Sequence, residues 1–297
     1  MAATRFASSG GSVLRAVAVA GLVVALAGCA FLDAPIMDPK GPIALAERDI
    51  LFRAIAIMLI VVIPVFVLAF WFSWRYRASR KGERYDAQWE SERVDAVTWI
   101  IPTAIVVSLA IHVWIYTHIL DPYKPLQSSV APLEVEVVAQ DWKWLFVYPD
   151  RGVASVNELA FPAGVPLRLK ITSDTVMNSF FIPALGGQIY AMAGMQTELN
   201  LLADAPGRFV GRNTQYSGDG FPDQHFTALA MTVAEFDAWV ASAQNSPQAL
   251  DAAAYAALAE PSIAHPVAYY SGVEPGFFQR IIAKYTGGST AHDMAAH

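Results

Sequence analysis

The sequence predicts a membrane protein of mixed class, a pair of transmembrane α-helices followed by an all-β domain. Three observations carry that prediction: two uncharged apolar stretches long enough to cross a bilayer, a region of period-two alternation beyond them, and a short apolar run that ends at the only cysteine. The mean hydropathy of +0.38 over 297 residues is high for a water-soluble chain. A net charge of −6 excludes nucleic-acid binding, which needs a basic face to neutralise phosphates.

Residues 1–28 read as a lipoprotein signal peptide. Arg5 and Arg15 supply its positive start, and the apolar run from Ala16 to Leu26 is too short for a helix that needs ~20 residues to span. Leu26-Ala27-Gly28-Cys29 is similar to the bacterial lipobox, whose cysteine takes a diacylglycerol group and becomes the first mature residue. Cys29 is therefore the expected site of lipid attachment.

A periplasmic N-terminal segment, 29–53, leads to the first expected transmembrane helix, 54–74. The second covers 96–120, with Trp99 near one end and Trp114 and Tyr116 near the other as interfacial anchors. Pro64 and Pro102 fall inside the spans, where neighbouring helices can satisfy the carbonyls they free. The connecting loop, 75–95, carries Arg75, Arg77, Arg80, Lys81, Arg84 and Arg93, which marks it as cytoplasmic. Both mature termini then lie in the periplasm, in agreement with a lipid on Cys29.

After a linker, 121–131, the alternation in Leu133-Glu134-Val135-Glu136-Val137 and Leu167-Arg168-Leu169-Lys170-Ile171 predicts strands. Further strands are expected at Trp144 to Tyr148, Phe180 to Pro183, Thr197 to Leu201 and Phe226 to Val233, separated by Gly, Pro, Asp and Asn clusters. Short strands punctuated by turns through 132–233 indicate a β-sandwich or barrel. A helical arm, 234–286, follows, with Phe236, Trp239 and Val240 at helical spacing and Ser246-Pro247 and Glu274-Pro275 as helix starts. The tail, 287–297, is small and polar and expected to be flexible, so His292 and His297 are not read as ligands.

Several runs carry a family resemblance: Leu120-Asp121-Pro122-Tyr123-Lys124-Pro125, Asp141-Trp142-Lys143-Trp144, Val156-Asn157-Glu158-Leu159-Ala160-Phe161-Pro162, and Met177-Asn178-Ser179-Phe180-Phe181-Ile182-Pro183. The last continues through Gly187 to Thr197. Over nearly the whole mature chain these runs resemble subunit II of the haem-copper oxidases, most closely that of the cytochrome o type quinol oxidases. The resemblance implies a cupredoxin-like outer sandwich. It also implies a partner subunit I that holds the haems and one copper and carries the redox chemistry, further small membrane subunits, and ubiquinol as donor to the whole complex, with oxygen reduced to water and protons pumped.

In the cytochrome c oxidase branch this domain holds a dinuclear copper centre on cysteines, histidines and a methionine. Here Asn178 falls at the first histidine, Asn213 and Ser217 at the cysteines, Phe221 at the second histidine and Gln224 at the methionine. None supplies a soft thiolate or an imidazole. The residues agree on their own terms, because the only cysteine is assigned to the lipid and His225 is the sole histidine of the sandwich. No metal or cofactor is expected in this chain, and no catalytic residue. The chain is read as a structural and assembly subunit without a redox centre. The alternatives are a subunit of a cytochrome c oxidase-like complex and a free-standing membrane lipoprotein with a binding domain.

His112 and His118 are six residues apart, on different faces of a helix, and read as packing or hydrogen-bonded residues rather than haem ligands. Asp95, at the cytoplasmic start of the second span, stands where the family often has a glutamate at the mouth of a proton channel. It equally fits a helix start, where a carboxylate stabilises the positive dipole end by roughly 0.3 to 1 kcal/mol.

Overall fold

The computed structural model describes residues 34–77 and 90–286. The signal peptide, Cys29, most of the charged loop including Arg80, Lys81 and Arg84, and the tail lie outside the described residues.

Two helices form the hairpin, α1 (Pro42–Arg75) and α2 (Glu92–Ile119), and both are long and apolar enough to cross a membrane. Each is longer than its uncharged stretch. α1 begins twelve residues before Ala54, at Pro42 in the first turn behind an extended Gly41. Polar Glu47, Arg48, Asp49 and Arg53 remain helical because this first section is braced by the β domain. The Ala44 amide donates to Leu185 O at 3.2 Å, and the Gly187 amide donates to Glu47 Oε1 at 3.0 Å. Where the helices meet, Arg53 donates to the Tyr116 hydroxyl and its guanidinium lies 5.9 Å from the ring centroid.

Eleven strands build the β domain: β1 (Leu133–Gln140), β2 (Lys143–Tyr148), β3 (Val153–Val156), β4 (Glu158–Pro162), β5 (Leu167–Ser173), β6 (Asn178–Phe181), β7 (Gln188–Ala191), β8 (Thr197–Leu201), β9 (Gly207–Asn213), β10 (His225–Met231) and β11 (Ala268–Ser271). They form a six-stranded sheet, β11-β3-β2-β1-β5-β8, facing a five-stranded one, β4-β10-β9-β6-β7. The pairs β1·β5 and β4·β10 are parallel and the other pairs antiparallel. This two-sheet, mixed arrangement is the expected cupredoxin-like sandwich.

Alternation along β1 turns Val135, Val137 and Ala139 into the inter-sheet core. Its aromatic centre is Trp144, Phe146, Phe180 and Phe226, with Phe180 and Phe226 stacked at 5.0 Å and Trp144 edge-on to Phe180 at 5.3 Å. Val138 faces the other way, into a second cluster with Leu145, Val147, Leu258, Tyr270, Phe278 and Ile281. The C-terminal arm thus forms a third layer over the six-stranded sheet.

Three helices belong to that arm, α3 (Val233–Gln244), α4 (Ala252–Ala259) and α5 (Phe277–Ala283), and its boundaries differ from those expected. The strand expected to reach Val233 ends at Met231, because Thr232 and Glu235 form a capping box that starts α3. Ser246-Pro247 starts no helix: the Ser246 hydroxyl donates to Tyr269 O at 2.7 Å, and α4 begins after Asp251, whose carboxylate accepts from the Ala254 amide at 2.8 Å. The arm is also not wholly helical, since β11 pairs with β3 and closes one edge of the six-stranded sheet.

Candidate functional site

Four of the five positions aligned with copper ligands converge at one end of the sandwich. Asn178 opens β6, Asn213 closes β9, and Ser217 and Gln224 lie on the β9–β10 connection. Their side chains bond to one another. Asn213 Nδ2 donates to Asn178 Oδ1 at 2.7 Å and Gln224 Oε1 at 2.8 Å, and it lies 3.1 Å from Ser217 Oγ. The Ser217 hydroxyl donates to Gln224 Oε1 at 2.8 Å, and Gln224 Nε2 to Asn178 Oδ1 at 3.0 Å.

Backbone groups complete the knot. Asn213 Oδ1 accepts from the Ser179 and Gln215 amides at 2.8 and 3.0 Å, and Asn178 Nδ2 donates to Val176 O at 2.8 Å. Asn178, Asn213 and Gln224 are buried, so each amide needs these partners to offset its lost hydration. Phe221 stands apart, on a short 3-10 turn with its ring 5.7 Å from Tyr216.

Trp142 roofs the β9–β10 connection. It adopts a left-handed backbone (φ 64), donates its indole N–H to Ser217 O at 3.1 Å, and lies so close to Gly220 that a Cβ there would approach the ring to 2.3 Å. Trp144 is fully buried in the core. His225 is exposed, and among the described residues no group of three His, Cys, Asp or Glu is placed to hold a metal ion. The donor set of hard amide and hydroxyl groups does not fit a dinuclear copper centre, which requires thiolate and imidazole.

Three buried polar side chains latch the arm onto the sandwich, and the sequence reading assigned no role to any of them. The Lys143 ammonium, fully buried, donates to Glu260 O and Ser262 Oγ, each at 2.7 Å, and burial pushes its pKa down. Glu158 Oε1 accepts from Trp239 Nε1 at 2.9 Å and the Tyr269 hydroxyl at 2.6 Å; burial, then this bond, raises the phenol to about 12. Asp174 accepts from the Tyr255 hydroxyl at 2.6 Å, Lys284 Nζ at 2.8 Å and the Tyr285 hydroxyl at 2.9 Å. Lys143 and Glu158 lie within runs that carried the family resemblance, but a pattern of residue types does not show what a lysine on a strand will meet 117 positions later.

In the hairpin, Asp95 is exposed in the first turn of α2 beside Glu92, behind Ser91, which makes no side-chain cap. His112 and His118 each place Nδ1 against the carbonyl four residues back, Ser108 O at 2.9 Å and Trp114 O at 2.7 Å.

Two apolar helices are thus joined to a cupredoxin-like sandwich, with an aromatic arm over one sheet. Residues 244–289 match the family model described as the COX aromatic rich motif. Cytochrome bo(3) ubiquinol oxidase subunit 2 of Pseudomonas putida is 47% identical over 274 residues, covering 91% of this chain and 86% of that protein. Ubiquinol oxidase subunit 2 of Acetobacter aceti is 47% identical over 266 residues, covering 89% and 85%. The chain belongs to the ubiquinol oxidase subunit 2 family. Among solved structures, the periplasmic domain of cytochrome oxidase subunit II of Bradyrhizobium japonicum aligns with 39% of this chain and 96% of that one, at 25% identity and a TM-score of 0.37.

Proposed function

We propose that this chain is the redox-silent subunit II of a proton-pumping ubiquinol oxidase of the bacterial inner membrane, acting in structure and assembly rather than catalysis. The observation that carries the reading is the closed polar knot of Asn178, Asn213, Ser217 and Gln224, whose donors and acceptors are spent on one another and on neighbouring backbone groups. With no thiolate and no imidazole there, electrons from a soluble haem protein have no metal to enter by. A quinol delivers them instead from within the membrane, to haems and a copper in subunit I. The exposed apolar faces of α1 and α2 suit packing on that subunit and on smaller membrane subunits.

In this reading Cys29 carries the lipid, both mature termini are periplasmic, and Asp95 lies on the cytoplasmic side at the mouth of a proton path. Oxygen consumption by the purified complex, with ubiquinol and with reduced cytochrome c, tests the assignment alongside metal analysis. Quinol-driven turnover with a single copper per complex is expected; cytochrome c turnover with additional copper would overturn it. Intact-mass measurement of the mature chain checks the lipid on Cys29. Asp95→Asn should slow turnover and proton uptake together, and unchanged values would leave Asp95 only its place at the helix start.

A further inference from the structure

Where the hairpin meets the sandwich, a half-open cavity of about 210 Å³ lies between the first turn of α1, the end of α2, the segment that follows it, and β8. Ile43, Ile119, Leu120, Leu126 and Leu199 contribute apolar walls, and Lys124 and Asp121 both lie at the lining. We propose that this cavity binds one membrane phospholipid, its phosphate on the Lys124 ammonium and its glycerol and upper acyl carbons against the apolar walls.

Depth in the membrane supports that ligand. The uncharged stretch 54–74 is 21 residues, about 31 Å at 1.5 Å per residue, so the hydrocarbon layer ends near Arg53 and its partner Tyr116. Ile119 stands three residues beyond Tyr116, about 5 Å further out. The headgroup layer occupies roughly 5 to 8 Å on each side, which sets the cavity at the level of the phosphates.

Charge agrees with depth. Lys124 is exposed and makes no ion pair among the described residues. Its only near acid in sequence, Asp121, turns a carboxylate oxygen to the Tyr123 amide at 3.0 Å, while the Lys124 amide donates to Asp121 O at 3.0 Å. This turn engages the Asp121 carboxylate with backbone and leaves Lys124 exposed.

The cavity is also built rather than incidental. Asn200, one of its lining residues and nearly buried, fixes the segment after α2 by giving both its backbone and its side-chain amide to Pro122 O, at 3.2 and 3.0 Å. A free phosphate would gain nothing from five aliphatic walls, whereas a phospholipid uses both the walls and the cation. The inference needs only that the hairpin spans a membrane and does not depend on the electron donor.

Native mass spectrometry tests it, on the full chain with the subunits that accompany it, released from detergent micelles doped with palmitoyl-oleoyl phosphatidylglycerol. The wild type should retain one phospholipid that Lys124→Gln binds about fivefold more weakly, the effect of one surface lysine on an anionic lipid. Lys124→Arg should retain it, and Leu126→Trp, which fills the cavity and spares the charge, should lose it. Equal lipid retention in the wild type, Lys124→Gln and Leu126→Trp would overturn the proposal. So would displacement of the lipid by inorganic phosphate combined with full binding in Leu126→Trp, since that identifies a plain anion site.

Discussion

Asn213 donates from its side-chain amide to Asn178 Oδ1 across 2.7 Å, tying the end of β9 to the start of β6. The bond joins two of the positions where the family resemblance places a cysteine and a histidine in the copper-bearing branch. Hydrogen bonds among the amide groups there link the start of β6 to the end of β9 and the β9–β10 connection.

The first prediction concerns that knot. Asn213→Ala removes the acceptor of the buried Ser179 amide and the donor to both Asn178 and Gln224. A buried amide left without a partner costs about 1–3 kcal/mol, so thermal unfolding of the purified chain, followed by near-ultraviolet circular dichroism, should shift down by several degrees. An unchanged midpoint would mean that the knot contributes nothing to stability.

Detachment of the arm gives a second. Asp174→Asn weakens bonds from Tyr255, Lys284 and Tyr285 at once, on a carboxylate whose side chain is only 2% exposed. Hydrogen exchange in residues 252–286 should quicken by about tenfold, with the inter-sheet core unaffected. Uniform quickening throughout the domain would show that the arm does not open as a separate unit.

Glu136 makes stability depend on pH. Burial is the main cause that raises its pKa to about 7; Lys170 pulls the other way and Glu134 adds a smaller rise. Because the folded state holds this proton more tightly than the unfolded chain, stability should fall as pH rises from about 4.5 to about 7 and then level off. The group is part-exposed, so after allowance for solvent screening the loss is on the order of 1 kcal/mol. Glu136→Gln should flatten this part of the denaturation profile, and an identical slope in the variant would assign it to other groups.

The brace between α1 and the sandwich is tested by comparing two glycines. At Gly41 a Cβ would lie 2.1 Å from the Leu202 carbonyl oxygen, whereas at Gly152, with φ +64, nothing lies within 4 Å. Gly41→Ala should cost roughly 1–3 kcal/mol through overpacking and reduce the yield of assembled complex. Gly152→Ala carries only the left-handed backbone penalty of about 1 kcal/mol, and its assembly should be normal. Equal yields would show that the brace is dispensable.

The strands legible in the sequence were the alternating β1 and β5 and four apolar runs bounded by turn residues. Among those runs is β2, which is buried along its whole length, whereas β9 alternates in burial and was still missed. β1 and β5 alternate, and Thr197 to Leu201 was read with the boundaries it has. β3, β4, β7, β9 and β11 were not read. β3 and β4 are buried along their whole length, so no alternation marks them, and β11 is a four-residue strand within an arm whose other elements are helical. Of the candidate site, the amide and hydroxyl chemistry of Asn178, Asn213, Ser217 and Gln224 was legible residue by residue. The latches of Lys143, Glu158 and Asp174 were not, since each depends on partners 81 to 119 positions away.

By itself the sequence determined the class of this protein, because apolar spans, period-two strands and the runs shared with its relatives are properties of local sequence. It fixed the donor chemistry of those four positions, since an amide cannot become a thiolate in any fold. Only the tertiary structure decided what those residues do instead, how far α1 rises past its apolar stretch, and how the aromatic arm seals the outer sheet. Those outcomes rest on hydrogen bonds and contacts between segments far apart in the chain, whose geometry exists only once the sandwich has formed.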